Sequence, residues 1–408
     1  MTRAGTFLVG ALALASIALA SRVVAAPATG AGDSVKIGVL TDMSGPYAMI
    51  AGASAIQAAK IAIDEFGGKV LGRPIELVSG DHRNDPDIGV GIARQWFDHD
   101  GVDAIVDLTS TPVALAVQQL AKERGRIDIV TGAATPRLTG DACSPTGFHW
   151  VYDTYALGQA IGRAVADQGD RTWYFITTEA AFGPSLEQDA AGFITAAGGK
   201  VLGSAHHPPG ITDFAPYLLQ AQASGAQVIA LADAGQDAVT LIRQASQFGI
   251  GRGGQRLAGL LMTITDVHEI GLELAQGMVV VTASYWDQGP AARVWSRKFL
   301  GLTGVMPNML QAGNYSAVLH YLKAVQAAGT TDGALVARKM RELPVNDAFV
   351  ANGVVGADGL MRHDMYLAVV KSPGDSRSKW DDLDILETIP ADHAFLPIER
   401  SLCQFAKK

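Results

Sequence analysis

From Val35 onward the chain alternates short apolar runs with amphipathic segments, a rhythm that restricts it to parallel sheets covered by helices. Val35–Leu40 (VKIGVL) reads as a buried strand, and the following segment, Gly52 to Phe66, sets Ile56, Ala59, Ile63 and Phe66 on one helical face. Strand-like Ile75–Ser79, a helix over 88–98, strand Val102–Asp107, a helix over 113–124 and strand Ile127–Thr131 complete a first α/β block. The rhythm restarts with a helix from Tyr155, strand Thr172–Thr177, a helix from Pro184 and strand Lys200–Ser204. Helix 214–224, strand 227–231, helix 236–248 and strand 257–261 follow. A strand over 277–283, helices near 291–300 and 315–328, and a hairpin-like end over 354–371 exceed what either block can absorb. The chain is therefore expected to return to the first block and cross again, giving two lobes joined by several strands. The polar stretch Ser372–Ser378 reads as an exposed loop.

Two blocks suit a chain of 408 residues that is 48% hydrophobic, because a domain usually holds roughly 100–200 residues. Charges are interspersed, the net charge is −8, and no Lys/Arg run could follow a phosphate backbone, which argues against nucleic acid as a partner. At the N-terminus Arg3 precedes an apolar stretch from Thr6 to Ala20. Ala18-Leu19-Ala20 or Val23-Val24-Ala25 then offers a cleavage site, the pattern of a secretory signal peptide over residues 1–26. The apolar stretch is short of the about 20 residues a membrane-spanning helix needs, and no cysteine lies near it for lipid attachment. A soluble, exported protein is expected. In that setting the two cysteines, Cys143 and Cys403, read first as a disulfide, with two free buried thiols as the alternative.

Motifs for cofactor chemistry fail on context. Gly249-x-Gly251-x-x-Gly254 matches a dinucleotide fingerprint in letters, but it follows a helix and precedes a strand, the reverse of what phosphate binding requires. His206-His207 and His268-Glu269 lack the spacing and further ligands of a metal site. No strand-to-helix Gly-x-Ser-x-Gly elbow is present. No cofactor, no metal and no catalytic residue is expected.

What remains is a set of loops after strand C-termini, the places where a doubly wound sheet borders its ligand crevice. Thr41-Asp42-Met43-Ser44-Gly45-Pro46-Tyr47, Leu108-Thr109-Ser110-Thr111-Pro112 and Gly132-Ala133-Ala134-Thr135 supply hydroxyls and backbone N–H groups near helix starts, a setting suited to a carboxylate. Ser110 or Thr111 would serve equally as an ordinary helix cap. In the second block Phe182-Gly183, Asp233-Ala234-Gly235, Thr265-Asp266 and Tyr285-Trp286-Asp287 follow strands. There the aromatics suit an apolar ligand body, and Asp266 suits an amino or hydroxyl group or a helix cap.

The opening Val35-Lys-Ile-Gly-Val-Leu-Thr-Asp-Met-Ser-Gly-Pro-Tyr-Ala48 resembles that of periplasmic branched-chain amino-acid binding proteins. The similarity extends through Ala133-Ala134-Thr135, Leu138-Thr139-Gly140, Tyr174 with Phe182-Gly183, Asp213-Phe214, the stretch 221–230 and Ala275-Gln276-Gly277-Met278. It implies an α/β, type I periplasmic binding fold: two Rossmann-like lobes joined by three crossover segments, closing on a small-molecule ligand that is handed to the membrane permease of an ABC importer. Lobe one would comprise 33–154 and 286–356, lobe two 155–285 and 357–385, with 386–408 returning to lobe one. A periplasmic, monomeric, non-enzymatic protein follows. The fold also serves as a sensor domain that presents its closed form to a membrane receptor.

The implied ligand contacts are Tyr47, Thr109, Ser110, Thr111, Ala133, Ala134 and Thr135 on one side, with Phe182, Asp233, Ala234, Gly235 and Asp266 on the other. Two departures stand out: Phe182-Gly183 replaces a Tyr-Gly pair, and Ile264-Thr265-Asp266 replaces a Gly-Pro-Glu-like loop. An α-ammonium group would then depend on Asp266 or Asp153. Asp81-His82-Arg83-Asn84, Ala93-Arg94-Gln95-Trp96-Phe97 and the stretch from His149 to Tyr155 resemble a branch associated with aromatic and other organic acids. That branch favours an organic acid over an amino acid, adds Tyr155 and Trp286 to the site, and supports the Cys143–Cys403 bridge.

Overall fold

The computed structural model describes residues 1, 2, 5, 33–251 and 254–406, and of residues 165–168 only the backbone. Apart from Met1, Thr2 and Gly5, the expected signal peptide lies outside the described residues. Among the described residues, no helix is long and apolar enough to cross a membrane.

The first sheet grows from β1 (Val35–Thr41), whose Val35, Ile37, Val39 and Leu40 are all fully buried. Burial on both faces is what a central parallel strand requires. Helix α1 (Gly52–Phe66) follows, then β2 (Lys69–Val70), β3 (Arg73–Asp81), α2 (Pro86–Gln95), β4 (Ala104–Asp107), α3 (Thr111–Arg124), β5 (Ile127–Val130) and β6 (Gly147–His149). The order is β2-β3-β1-β4-β5-β6, parallel except for β2. Helix α1 has the expected limits, and its expected face meets the core: Ala59 and Ile63 are buried and Ile56 and Phe66, half-buried, pack against it, while Ala55, Ala58 and Ala62 widen the buried stripe. Past α2 a π-helical turn, Trp96–Asp100, tucks Trp96 and Phe97 under the sheet.

The second sheet is built from strands that alternate with helices: α4 (Thr154–Gln168), β7 (Thr172–Thr178), α5 (Gly183–Ala196), β8 (Lys200–His207), α6 (Ala215–Ala223), β9 (Val228–Ala232) and α7 (Gly235–Ala245). Next come β10 (Arg256–Gly259), α8 (Ile264–Ile270), α9 (Leu272–Ala275) and β11 (Val279–Thr282). The Gly249 motif caps a 3₁₀ turn after α7 and leads into β10. After β11 the chain forms α10 (Pro290–Thr303), α11 (Met309–Ala328) and α12 (Gly333–Glu342), and both α10 and α11 pack against α1.

A small hairpin, β12 (Val354–Val355) with β13 (Met361–Arg362), leads to β14 (Met365–Val370) and β15 (Leu383–Ile389), followed by the short α13 (Ala391–Ala394). β14 and β15 extend the second sheet antiparallel, giving the order β15-β14-β11-β10-β9-β7-β8. Residues 386–389, expected in a segment returning to lobe one, are therefore strand residues of the second sheet. Cys143 and Cys403 are bridged, with Cα atoms 5.6 Å apart, and the Ser401 hydroxyl donates to the Thr139 carbonyl at 3.2 Å. Thus residues 401–403 lie against the first sheet's loops.

Candidate functional site

The loops at the C-terminal edges of the two parallel sheets face one cavity of about 380 Å³. Tyr47, Asn84, Ser110 and Thr111 line it from the first sheet, and Thr178, Phe182, Asp233, Ala234 and Asp237 from the second. A small annex of about 20 Å³ lies between Thr109, Ala134, Tyr152 and Leu261. Tyr47, Thr111, Phe182 and Ala234 line both spaces.

Asp42 shapes the Tyr47 loop. Its buried carboxylate accepts the N–H of Gly45 at 2.7 Å and of Tyr47 at 3.0 Å. Burial, then the carboxylates of Asp233, Asp237 and Asp42, push the Tyr47 phenol above its ordinary pKa, so it stays a neutral donor. The second loop is held by an unusual backbone. Asp107 and Leu108 both adopt left-handed conformations, φ 87° and 55°, a costly choice for non-glycine residues that is concentrated at functional sites. The Asp107 carboxyl accepts from the Thr109 and Thr131 hydroxyls at 3.0 and 3.3 Å, which fixes the turn. Helix α3 therefore starts at the cavity with Pro112 in its first turn. Ser110 is 2% exposed, and its buried hydroxyl makes no hydrogen bond among the described residues. A buried hydroxyl beside a helix N-terminus is well placed to donate to an anionic group.

On the opposite wall, α5 and α7 also begin at the cavity, after Phe182 and Ala234. Asp237 accepts the Gly210 N–H at 2.7 Å. Asp233 is 1% exposed and lies with Oδ2 3.2 Å from His207 Nε2, an ionic contact off the line of a good hydrogen bond. The walls meet where the Gln236 N–H reaches the Pro46 carbonyl at 3.4 Å. Below the cavity the Asn308 amide donates to the Ile50 carbonyl at 3.0 Å and the Thr265 hydroxyl at 3.1 Å, joining the Tyr47 loop to α8.

Of the expected site residues, Tyr47, Ser110, Thr111, Phe182, Asp233 and Ala234 line the main cavity, and Thr109 and Ala134 the annex. The others lie elsewhere. Gly235 touches the Pro46–Tyr47 loop from behind Ala234. Ala133 gives its carbonyl to His149 Nε2, and Thr135 accepts from the Arg137 N–H as the cap of a 3₁₀ turn. Tyr155 sits edge-on to Phe193 in a separate pocket with Asp153 and Asp189. Asp153 itself caps α4, accepting the Ala156 N–H. Asp266 is spent in a capping box with Thr263, and Trp286 donates to the Trp380 carbonyl. Asn84 and Asp237 are lining residues that the strand-end rule did not pick out.

Each noted histidine has a carboxylate neighbour: His206 with Glu187, His207 with Asp233 and His268 with Asp382. Among the described residues, no three potential metal-binding side chains are grouped.

Two parallel-dominated sheets facing one cleft match solved binding proteins along most of their length. A periplasmic binding protein from Burkholderia mallei is 44% identical, with a TM-score of 0.88 over 91% of this chain and 99% of that one. A branched-chain amino acid ABC transporter periplasmic ligand-binding protein from Burkholderia xenovorans LB400 is 37% identical, with a TM-score of 0.84 over 91% and 100%. An R. palustris ABC transporter solute-binding protein in complex with benzoate shares the fold at 18% identity, with a TM-score of 0.80 over 91% and 99%. The family model for periplasmic binding proteins matches residues 34–376. With that span matched and the two-sheet fold in place, the chain belongs to the periplasmic binding protein family.

Proposed function

We propose that this protein is the periplasmic solute-binding component of an ABC importer and that it captures a small α-amino acid by closure of its two lobes. One observation carries the ligand class. Among the described residues the cavity has no lysine or arginine in its lining; it offers Ser110 and the α3 N-terminus on one wall and presents Asp233 and Asp237 on the other. A carboxylate fits the first wall and an ammonium group the second. A simple monoanion such as benzoate would satisfy one wall and confront the carboxylates of the other.

The organic-acid preference drawn from sequence relied partly on Trp286 and Tyr155, and both side chains are engaged outside the cavity. The name of the 37% identical B. xenovorans protein agrees with the amino-acid reading. A hydroxylated aromatic acid is the second reading, supported by Tyr47 and Phe182 as flat walls on opposite sides. We retain the lobe division, with the last strand of lobe two carried to Ile389, and the roles of permease partner and signal peptide.

Calorimetric titration of ligand-stripped protein with L-leucine, L-valine, L-phenylalanine, benzoate and 4-hydroxybenzoate tests the reading. Saturable heat from an amino acid supports it. Heat from the two benzoates alone replaces it with the second.

A further inference from the structure

We propose that His207, which lies behind the cavity rather than in it, is a positioning residue: as an imidazolium it holds Asp233 ionised and aimed at the donor group of the ligand. The proposal rests on the amino-acid reading above and assigns the residue that makes one wall of that site work.

His207 ends β8, Asp233 follows β9, and the two meet across the end of β7, where Thr178 is in register with His207. The imidazole is fully buried, and Phe214 and Tyr217 lie edge-on to it with ring centroids 5.0 and 5.7 Å away. Its two nitrogens face acceptors: Nδ1 is 3.0 Å from the Pro208 carbonyl and Nε2 is 3.2 Å from the Asp233 carboxylate. With Nδ1–H turned to the Pro208 carbonyl, a neutral ring would set its Nε2 lone pair against the Asp233 carboxylate; protonation turns that repulsion into an ionic attraction, which needs no in-line hydrogen bond. Burial alone would pull the imidazole down, but Asp233, with help from the Pro208 carbonyl and Asp237, outweighs it and raises its pKa.

The same contact governs Asp233. Burial pushes its carboxyl up, and His207 is the main opposing influence; the Ala234 N–H helps, while Asp237 adds to the rise. Tyr47 faces it from the other wall as a neutral phenol. Glu179, exposed at the end of β7, meets His207 through the backbone, its N–H bonding the His207 carbonyl. Without the imidazolium, Asp233 would be a carboxyl in a nearly dry site, would lose the main influence that opposes its burial, and would take up a proton at a higher pH than it does beside His207. A protonated Asp233 no longer attracts an ammonium group.

The test has a ligand-free arm and a ligand arm. In the ligand-free protein, imidazole ¹⁵N shifts should show His207 doubly protonated at pH 7, and Asp233→Asn should lower the pH at which that proton is lost. A neutral His207 at pH 7 overturns the proposal outright.

In the second arm, L-leucine affinity is measured from pH 5.5 to 8.5 for the wild type, His207→Leu and His207→Gln. The wild type should vary little. His207→Leu should lose about tenfold or more at pH 6 and recover most of it by pH 8.5, as Asp233 ionises unaided; tenfold corresponds to about 1.4 kcal/mol. His207→Gln should restore part of the geometry but keep the pH dependence. A loss equal at every pH, or no loss, means that His207 only packs, and overturns the proposal while leaving the amino-acid reading intact. Failure of the wild type to bind leucine or any other standard amino acid overturns that reading and the ligand role of His207 together, whatever the first arm shows of the ion pair.

Discussion

Gly235 is pressed against Pro46 from the opposite side of the cleft: a β-carbon on it would lie 2.7 Å from the Pro46 carbonyl oxygen and 3.2 Å from Tyr47 Cδ1. Its φ of 65° is in the left-handed region as well. The contact is with backbone, which cannot swing aside as a flexible side chain could. Gly235→Ala should therefore cost about 1–2 kcal/mol in conformation alone and also hold the walls apart. Ligand affinity should fall by at least about tenfold, and small-angle scattering of the variant with ligand should show a more open particle than the wild type.

Ser110 and Thr135 should respond oppositely to alanine. Ser110 has no internal partner to lose, so Ser110→Ala should leave the melting temperature of the free protein unchanged or raised. Its ligand affinity should drop by about 1–2 kcal/mol, roughly 5- to 30-fold. Thr135→Ala should lose about 0.5–1 kcal/mol of stability through its cap and little affinity. Parallel calorimetry and thermal melts of the two variants separate the cases.

The Cys143–Cys403 bridge closes a loop with a sequence separation of 260. Its removal by Cys143→Ser with Cys403→Ser should reduce stability by about 2–5 kcal/mol, and titration of the unfolded, non-reduced wild type should find no free thiol. Because the cavity takes no residue from the bridge, affinity of the folded variant should be unchanged.

Burial raises the carboxyl of Asp266 to about 7, against the pull of its Thr263 hydrogen bonds, and one of its oxygens has no partner. The folded chain thus holds a proton there that the unfolded chain has released above its ordinary carboxylate pKa near 4. Stability from this group is full below that value, declines as pH rises toward 7, and is lost above it. Asp266→Asn keeps an acceptor for Thr263 and removes the titration. The variant should be more stable than the wild type at pH 8, on the order of 1–3 kcal/mol, with the difference shrinking toward pH 5. Urea denaturation at several pH values reads it.

The limits of α1 and the start of β1 were legible because their apolar spacing is long enough to show a period. β6 was not: three residues around Phe148 have no period to detect, and their burial comes from neighbours distant in sequence. α12 and β15 also escaped a strand-and-helix reading centred on the two blocks. Around the cavity, the rule that strand ends border the crevice picked out Tyr47, Ser110, Phe182 and Asp233, which line it. It failed for Trp286, because β11 is flanked by antiparallel β14 and the loop after it folds onto Trp380. It failed for Asp266 because a local capping box competed for the carboxylate. His207 was visible only as one of a histidine pair, since its partner comes from a different strand. The left-handed turn at Asp107–Leu108 left no sequence signal: Asp tolerates that region but is common in many other settings, and Leu is a poor choice for it.

Asn308 has one side-chain nitrogen and two hydrogens on it, directed to the Ile50 carbonyl and the Thr265 hydroxyl. If the lobes rotate apart, at least one of these bonds must be exchanged for water, while local fluctuations within either lobe need not disturb both. On the proposed lobe division Asn308 and Ile50 share one lobe and Thr265 belongs to the other, so the Thr265 bond is the one that opening must give up to water while the Ile50 bond stays, and a single buried amide works as a latch fixed at one end.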